Sequence, residues 1–282
     1  MRPLLFTLLA VAAVTASACS APPEVCVEGS SRTPTPLAPD PKAGLFAFTH
    51  AHNDYEHERP LEDALAQKFH SVEADVYYAG GLFEVSHLGF GARGTLKSLY
   101  LDPLQAKVDE RGSVLGDGAP FTLWVDLKDA HDDLGDALAH LLDQYPMLTV
   151  FDADGTVTPG PVTVVLTGDR KMKEAFVREH TPRRAIRDSN DFSPDDPPAT
   201  SAWGFYALDW GRYLSWGGSG SVPAETSERL ACIANKAHQS GYRVRLYNTP
   251  DTEAVWQASL DHGIDFLNSD RLAELKAFLE SR

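Results

Sequence analysis

The sequence is short of positive charge and of cysteine, and each shortage excludes a class of function. Its formal net charge is −15, so it lacks the basic surface that would neutralise nucleic-acid phosphates or anionic lipid head groups. It has three cysteines, and none of their spacings resembles a zinc site. It also has no Walker loop. We therefore expect no nucleic-acid partner, and the excess of carboxylates suits a divalent cation.

The apolar run near the N-terminus, Pro3–Val14, is too short for a typical membrane-spanning helix. It follows Arg2 and leads into an Ala-Ser-Ala sequence, a pattern typical of a secretory signal, so we predict a signal peptide over residues 1–18. Cys19 comes next, in a sequence that resembles a relaxed lipobox, and is a candidate lipidation site. Two destinations stay open for the exported protein: a cell-envelope lipoprotein held by this N-terminal lipid anchor, or a secreted protein.

Residues 19–43 are rich in proline, serine and threonine and have no apolar periodicity, so they predict a flexible tether before a single domain over 44–282. If Cys19 carries lipid, Cys26 and Cys232 form an even pair in an oxidising compartment. Whether they form a disulfide stays open, since the distance between them does not follow from the sequence.

Beyond residue 44, short apolar runs alternate with helical stretches, which predicts a parallel sheet. Eight such runs in one domain predict an α/β fold of the closed (β/α)8 TIM-barrel type. The predicted strands are Leu45–His50, Ser71–Tyr77, Phe121–Lys128, Val162–Thr167, Arg184–Arg187, Trp203–Asp209, Tyr242–Tyr247 and Ile264–Leu267. The predicted helices are Pro60–Lys68, Leu134–Tyr145, Lys171–His180, Ala224–Ser240, Thr252–His262 and Arg271–Leu279.

Polar side chains gather at the ends of the first two predicted strands, where barrel enzymes carry their chemistry. The first strand leads into a polar run with His52, whose imidazole can serve as base, acid or metal ligand. Glu73 and Asp75 lie two residues apart on the second strand and therefore share a face. Adjacent carboxylates repel unless a cation or proton separates them, and oxygen ligands favour Mg²⁺ or Ca²⁺ over zinc. This pattern predicts one divalent cation.

The following segments add further candidates. A short hairpin with a Gly-Gly turn ends at His87, which brings a second imidazole near the predicted metal and permits paired acid–base chemistry. Asp126 and Lys128 share a face of the third strand. Asp126 is a candidate third ligand, and Lys128 could bind a phosphate oxygen or form a structural salt bridge. Weaker candidates for substrate contact are Asn53, Trp210 and Tyr247.

Taken together, these residues resemble the superfamily of barrels that contains glycerophosphodiester phosphodiesterases and sphingomyelinase-D-like toxins. The string His52-Asn53-Asp54-Tyr55, followed by Val-Glu-Ala-Asp-Val around Glu73 and by a final Asn-Ser-Asp, is similar to the altered inheritance of mitochondria protein 6 homologues. The resemblance spans roughly Leu45–Leu279. There is one departure, because glycerophosphodiesterases proper carry His-Arg-Gly where this chain has His52-Asn53-Asp54, and that arginine would normally touch the phosphate.

The resemblance implies that the three carboxylates hold one cation that polarises a phosphate oxygen. It implies that His52 acts as nucleophile or base, that His87 protonates the leaving alcohol, and that Lys128 balances charge on the phosphoryl group. The assignment of the two histidines stays open, as does the choice between hydrolysis and cyclisation. The expected substrate is a small-molecule or lipid phosphodiester, such as a glycerophosphodiester or phospholipid.

Two other functions stay open. His50 and His52 are spaced like a zinc-binding pair of amidohydrolase-type barrels, although no later strand ends in histidine. Alternatively, the protein is a ligand-binding surface lipoprotein whose barrel has lost catalysis. Zinc in the purified protein would favour the first, and ligand binding without turnover would favour the second.

Overall fold

Eight parallel strands form a near-closed barrel in the computed structural model, which describes residues 22–282. The predicted signal peptide and Cys19 therefore lie outside the described residues. The parallel strands are β1 (Thr49–Ala51), β2 (Ser71–Ala79), β4 (Phe121–Leu127), β7 (Val162–Gly168), β8 (Ala185–Ser189), β9 (Trp203–Asp209), β10 (Arg243–Tyr247) and β11 (Leu267–Ser269). They pair in the order β10-β9-β8-β7-β4-β2-β1-β11, and a parallel bridge between Arg245 and Phe266 links the two ends of this series.

Two antiparallel additions complete the strands. The predicted hairpin is confirmed: β3 (Leu82–Val85) pairs with the end of β2, with Ala79 opposite Leu82. A second hairpin, β5 (Val150–Phe151) with β6 (Val157–Thr158), was not predicted, because two-residue strands carry too little periodicity.

The helices lie between the strands, as the alternation predicts. They are α1 (Glu62–Ala66), α2 (Asp102–Arg111), α3 (Leu134–Leu142), α4 (Arg170–Glu179), α5 (Trp210–Tyr213), α6 (Ala224–Gln239), α7 (Glu253–Asp261) and α8 (Leu272–Glu280). Helix α2 was not predicted, because Leu104 is its only buried residue and an apolar stripe is missing. Within residues 22–282, no helix has both the length and the hydropathy needed to cross a membrane.

The first and last strands begin later than predicted. Residues Leu45–Phe48 form a 3₁₀ turn, so β1 starts only at Thr49. Similarly, the apolar run at 264–266 precedes β11, which starts at Leu267. Thr49 pairs with Leu267, so the two strands that start later than predicted are neighbours in the barrel.

The core has an outer and an inner layer, because alternate strand residues face opposite sides. On β4, Leu123 and Val125 pack outward against the helices. Trp124 points inward, where it packs with Phe205 and Phe266. Asp126 follows Trp124 by two residues and so belongs to the inner face. The inner face is thus apolar in its middle and carries acids where β4 ends.

Residues 22–43, part of the segment for which the sequence predicts a flexible tether, contact the barrel at several points. Cys26 and Cys232 form a disulfide that ties the segment to α6. The Asn235 amide donates to the Thr33 carbonyl at 2.7 Å, and the Leu37 N–H donates to the Leu260 carbonyl at 3.0 Å. These long-range contacts order a sequence that has no periodicity of its own.

Candidate active site

Three carboxylates converge at the carboxyl ends of β2 and β4. Asp75 and Asp126 lie opposite each other in the parallel register, and Glu73 precedes Asp75 on the same face. Each of the three offers a ligand oxygen within 4.8 Å of the others. Each also has one buried oxygen without a hydrogen-bond partner among the described residues: Glu73 Oε2, Asp75 Oδ1 and Asp126 Oδ1. Buried polar atoms are normally satisfied, so these three free oxygens fit a cation.

The close approach of the neighbouring strand at this point requires a glycine. Gly168 at the end of β7 has φ +82°, in the left-handed region. A Cβ at this position would collide with Asp126 Oδ1 and with the Leu127 backbone. Because glycine has no side chain, the Asp126 carboxylate can occupy the space where a Cβ of residue 168 would lie.

Lys128 compensates part of the negative charge. Its Nζ lies 2.7 Å from Asp126 Oδ2 and 3.0 Å from Asp75 Oδ2. Burial works against its charge, but the two carboxylates outweigh burial and raise the pKa of Lys128. Burial raises the pKa of Asp126 to about 6, and the nearby Glu73 charge adds to this rise while Lys128 opposes it. The cluster is thus still crowded with negative charge after Lys128 is counted.

His52 lies at the edge of the carboxylate cluster. Its Nδ1 is 2.9 Å from Asp270 Oδ1, and its Nε2 is 3.7 Å from Glu73 Oε2. Burial lowers the pKa of His52, but the hydrogen bond to Asp270 and the Glu73 charge outweigh it, so the net shift is upward. With Nδ1 turned to Asp270, Nε2 is the nitrogen available to a substrate.

His87 lies next to Asp75, on the loop after β3. Its Nδ1 is 2.9 Å from the Tyr55 hydroxyl and 3.2 Å from Asp75 Oδ2. The Tyr55 hydroxyl also lies 2.8 Å from Asp75 Oδ2, and burial together with the Asp75 charge raises the pKa of Tyr55. Tyr55 thus joins the imidazole to the carboxylate.

The buried, positively charged side chain of Arg245 lies beneath Glu73. Arg245 Nη2 donates to Glu73 Oε1 at 2.7 Å, and its guanidinium lies 4.6 Å from the centre of the Trp124 ring. Burial opposes the ionised form of Glu73, but the Arg245 charge outweighs burial and holds the pKa of Glu73 well below its usual range. Glu73 is therefore an ionised ligand candidate with one oxygen engaged and one free.

His50 is not available as half of a zinc pair. Its ring is fully buried, with Nδ1 2.8 Å from Ser71 Oγ and Nε2 in contact with Arg245 Nη1. Burial lowers the pKa of His50 to about 3, and the Arg245 charge lowers it further, so the ring is neutral. Because Arg245 can only donate, Nε2 accepts and Nδ1 carries the proton. Both nitrogens are thus occupied, contrary to the zinc-pair alternative.

A cavity of about 540 Å³ opens above these groups. It brings together five of the six residues predicted for catalysis or metal binding, namely all but Asp75, together with the weaker candidates Asn53 and Tyr247. Asp75 belongs to the carboxylate cluster but does not line the cavity, since its side chain is 1% exposed. Trp210 does not line this cavity: it is buried on α5, and its indole N–H donates to the Trp216 carbonyl at 2.9 Å. The structure therefore does not bring Trp210 together with the other predicted site residues.

Several residues of the site were not predicted from the sequence. These further lining residues are Thr167, Gly168, Asn190 and Arg245. Asn248 also lines the cavity, as expected of a polar residue that directly follows the predicted strand Tyr242–Tyr247. Arg245 lies in the middle of a strand, two residues before Tyr247, and shares its face. Its only signal in the sequence was a charged residue inside a predicted strand.

Comparisons with known proteins identify the family of the chain. A profile of the AIM6-like phosphodiesterase domain matches residues 45–188, about half of the chain. The altered inheritance of mitochondria protein 6 of Lachancea thermotolerans is 29% identical over 80% of this chain, which spans 64% of that relative's length. The Arthroderma benhamiae homologue is 24% identical over 96% of both chains.

Among solved structures, a phosphodiesterase of Oleispira antarctica, solved with its product sn-glycerol-3-phosphate, shares the fold. The TM-score is 0.50 at 14% sequence identity, and the match covers 82% of this chain and 96% of that one. With half of its residues matched by the domain profile, the chain belongs to the AIM6-like phosphodiesterase domain family.

Proposed function

We propose that the protein is a metal-dependent phosphoric diester hydrolase that acts on a glycerophosphodiester- or phospholipid-like substrate. The observation that carries the proposal is the set of three carboxylates, each with a buried oxygen lacking a hydrogen-bond partner among residues 22–282, beside two histidines and a lysine in one cavity. Glu73, Asp75 and Asp126 would hold one divalent cation, Mg²⁺ or Ca²⁺. Bound there, the cation would polarise a phosphate oxygen.

The two histidines suit proton transfer on opposite sides of a phosphate. His52 has Asp270 on Nδ1 and would use Nε2 to take a proton from an attacking water, or to attack phosphorus itself. As the bond from phosphorus to the leaving oxygen breaks, His87 would deliver a proton to that oxygen. Lys128 would balance charge on the phosphoryl group. The Oleispira phosphodiesterase, which shares the fold, forms sn-glycerol-3-phosphate as its product, and this supports the substrate class.

The loop after His87 supports a substrate with an apolar part. Leu88 and Phe90 are 63% and 72% exposed, an unusual display for large apolar side chains. The loop is not loose, because Ser86 Oγ donates to the Phe90 carbonyl and Arg93 donates to the Glu56 and Glu58 carbonyls. Its Gly-x-Gly-x-x-Gly string, residues 89–94, follows an antiparallel strand and so lacks the βαβ setting of a dinucleotide site. These side chains would meet the alkyl chain of a lipid leaving group beyond His87.

Metal-restored hydrolysis of bis-p-nitrophenyl phosphate tests the proposal. After chelation, Mg²⁺, Ca²⁺, Mn²⁺ and Zn²⁺ are added back singly to the wild type and to Asp75→Asn, which keeps the side-chain shape and removes the charge. We expect turnover with a hard cation, and a loss of about 10³-fold in Asp75→Asn, because the cation supplies several kcal/mol of charge stabilisation. The control Asp109→Asn neutralises an exposed carboxylate on α2 and should behave as the wild type.

Absence of turnover with every cation, in a folded wild type, would contradict hydrolysis of this diester. Calorimetric binding of sn-glycerol-3-phosphate without turnover would then favour the ligand-binding surface protein. The apolar loop has its own test, in which Leu88→Ser/Phe90→Ser is compared with Val157→Ser, an exposed apolar residue on the β5–β6 hairpin. We expect the double variant to lose roughly tenfold or more on a micellar phospholipid. An equal loss on bis-p-nitrophenyl phosphate would contradict a lipid-specific role.

We also propose that the protein is exported, as a lipoprotein anchored through Cys19 or as a secreted protein. The Cys26–Cys232 disulfide supports this, since disulfides persist mainly in oxidising compartments. Expression with and without a Cys19→Ser change, followed by membrane fractionation, separates the two destinations. A membrane-bound wild type and a released variant would indicate the anchor.

A further inference from the structure

Tyr55 occupies a position between two groups of the proposed mechanism. It follows β1 in a short 3₁₀ turn, Asp54–Glu56, and is 2% exposed. The turn is fixed from below, because the Asp54 carboxylate accepts hydrogen bonds from the Leu61 N–H at 2.6 Å and from the Tyr100 hydroxyl at 2.9 Å. The ring packs in the core, so the hydroxyl has one direction in which to point.

That hydroxyl has three polar neighbours and a single hydrogen. They are Asp75 Oδ2 at 2.8 Å, His87 Nδ1 at 2.9 Å and Asn53 Oδ1 at 3.1 Å. An ionised carboxylate can only accept, so the Tyr55 hydrogen is best used on Asp75, the nearest and charged neighbour. His87 Nδ1 must then donate to the Tyr55 oxygen, because two acceptors at 2.9 Å would repel.

This chain of hydrogen bonds fixes the tautomer of His87. With Nδ1 protonated toward Tyr55, Nε2 has no hydrogen-bond partner among residues 22–282 and is the nitrogen that exchanges a proton with substrate. The ring is half exposed, and Tyr55 and Asp75 are the partners that hold it. An exposed imidazole without such partners would rotate and present either nitrogen.

The same contact orients Asp75. Its Oδ2 atom accepts hydrogen bonds from the Tyr55 hydroxyl and from Lys128 Nζ and lies 3.2 Å from His87 Nδ1, while Oδ1 has no hydrogen-bond partner among the described residues. Because these contacts gather on Oδ2, Oδ1 is left for the carboxylate cluster. Tyr55 thus contacts both the proposed acid and a proposed metal ligand.

We propose that Tyr55 is a positioning residue that holds the His87 ring with Nδ1 protonated and Nε2 presented to the substrate, while it orients Asp75. The catalytic part of this inference rests on the proposed phosphodiesterase function. The structural part, the tautomer of His87, does not depend on activity.

Long-range ¹H–¹⁵N NMR of the histidine side chains in the wild-type protein reads the tautomer directly. His87→Gln identifies the His87 signals by their disappearance. We expect the neutral His87 ring to be protonated at Nδ1 in the wild type, and to shift toward the Nε2-protonated form in Tyr55→Phe. The control Tyr77→Phe removes a hydroxyl whose only hydrogen bond among residues 22–282 is to the His87 carbonyl, at 3.5 Å, and should leave the ring signals unchanged.

Kinetics provide the second arm. In Tyr55→Phe we expect kcat on a glycerophosphodiester, whose alkoxide leaving group needs a proton, to fall roughly 10- to 100-fold with KM changed less than about threefold, since a misplaced proton donor acts on the chemical step. An Nε2-protonated His87 in the wild type would overturn the proposal, and that measurement needs no variant. A shifted tautomer with unchanged kcat would overturn it too. An inactive wild type with the expected tautomer would instead refute the proposed function and leave the Tyr55–His87 contact standing.

Discussion

The two halves of the barrel contribute different things to the site. Strands β1, β2 and β4, with the loops after them, carry the three carboxylates, both histidines and Lys128. Strands β8 to β11 and their loops contribute the partners and walls: Asn190, Arg245, Tyr247, Asn248 and Asp270. The domain profile matches residues 45–188, which contain the groups proposed to react.

The groups of the first half lie near one another in the sequence, whereas their partners in the second half reach them only when the chain folds. Glu73 and Asp75 share a strand, whereas Arg245 is 172 residues from Glu73 and Asp270 is 218 residues from His52. The first half thus supplies charged groups that are costly to place together unless nearby charges compensate them. The second half supplies these charges, with the buried Arg245 cation beside Glu73 and the Asp270 carboxylate beside His52.

Arg245→Met gives the largest expected effect, because it removes the compensation and leaves the first half intact. The Glu73 carboxylate would then be buried without its cation, and removing one partner of a buried ion pair costs about 3–5 kcal/mol. Urea denaturation with the metal removed measures the free energy of unfolding. Arg245→Lys, which keeps the charge, should lose less. A loss below about 1 kcal/mol in Arg245→Met would show that the halves are energetically independent.

The same division explains how far the sequence predicted the structure. Asp75 and Asp126 were found because i and i+2 residues share a strand face, and this rule needs no knowledge of the fold. Arg245 was missed because its role depends on the register that brings β10 close to β2 across the barrel. Trp210 was expected at the cavity because a strand end marks the rim of the barrel, whereas α5 begins there and turns the indole into the core.

Removing the disulfide tests how much the second half depends on the N-terminal segment. The Cys26→Ser/Cys232→Ser double variant should lose roughly 2–4 kcal/mol of unfolding free energy, since the bond closes a loop of 206 residues. Activity should persist at temperatures where the variant is folded, because both cysteines are remote from the cavity. Chemical denaturation of oxidised wild type and variant measures the loss. An unchanged midpoint would show that the non-covalent contacts of residues 22–43 suffice.

Asp54, in the first half of the barrel, predicts that the free energy of unfolding depends on pH. Burial raises its pKa to about 7, against which the hydrogen bonds from Leu61 and Tyr100 act, while the unfolded chain ionises near 3.8. Between these values the folded protein keeps a proton that the unfolded chain has released, so stability falls as pH rises through this window. Relative to Asp54→Asn, the wild type should lose about 2–3 kcal/mol between pH 5 and pH 7. A pH-independent difference between the two proteins would contradict this.

The smallest expected effect lies at the cavity wall and separates a wall residue from a packing residue within the second half. Tyr247 lines the cavity, and Tyr247→Phe removes only a hydroxyl, so KM for a hydrolysed diester should rise roughly 3- to 10-fold, about 1 kcal/mol, with kcat unchanged. Trp210→Phe removes the indole N–H that bonds the Trp216 carbonyl, so it should lower the unfolding free energy and leave KM as it is. Steady-state kinetics measure KM, and denaturation measures the free energy of unfolding, for each of the two variants. A raised KM in Trp210→Phe would contradict the assignment of Trp210 to packing, because the indole would then act on substrate through α5. The wall of the second half would in that case extend beyond the residues that face the cavity.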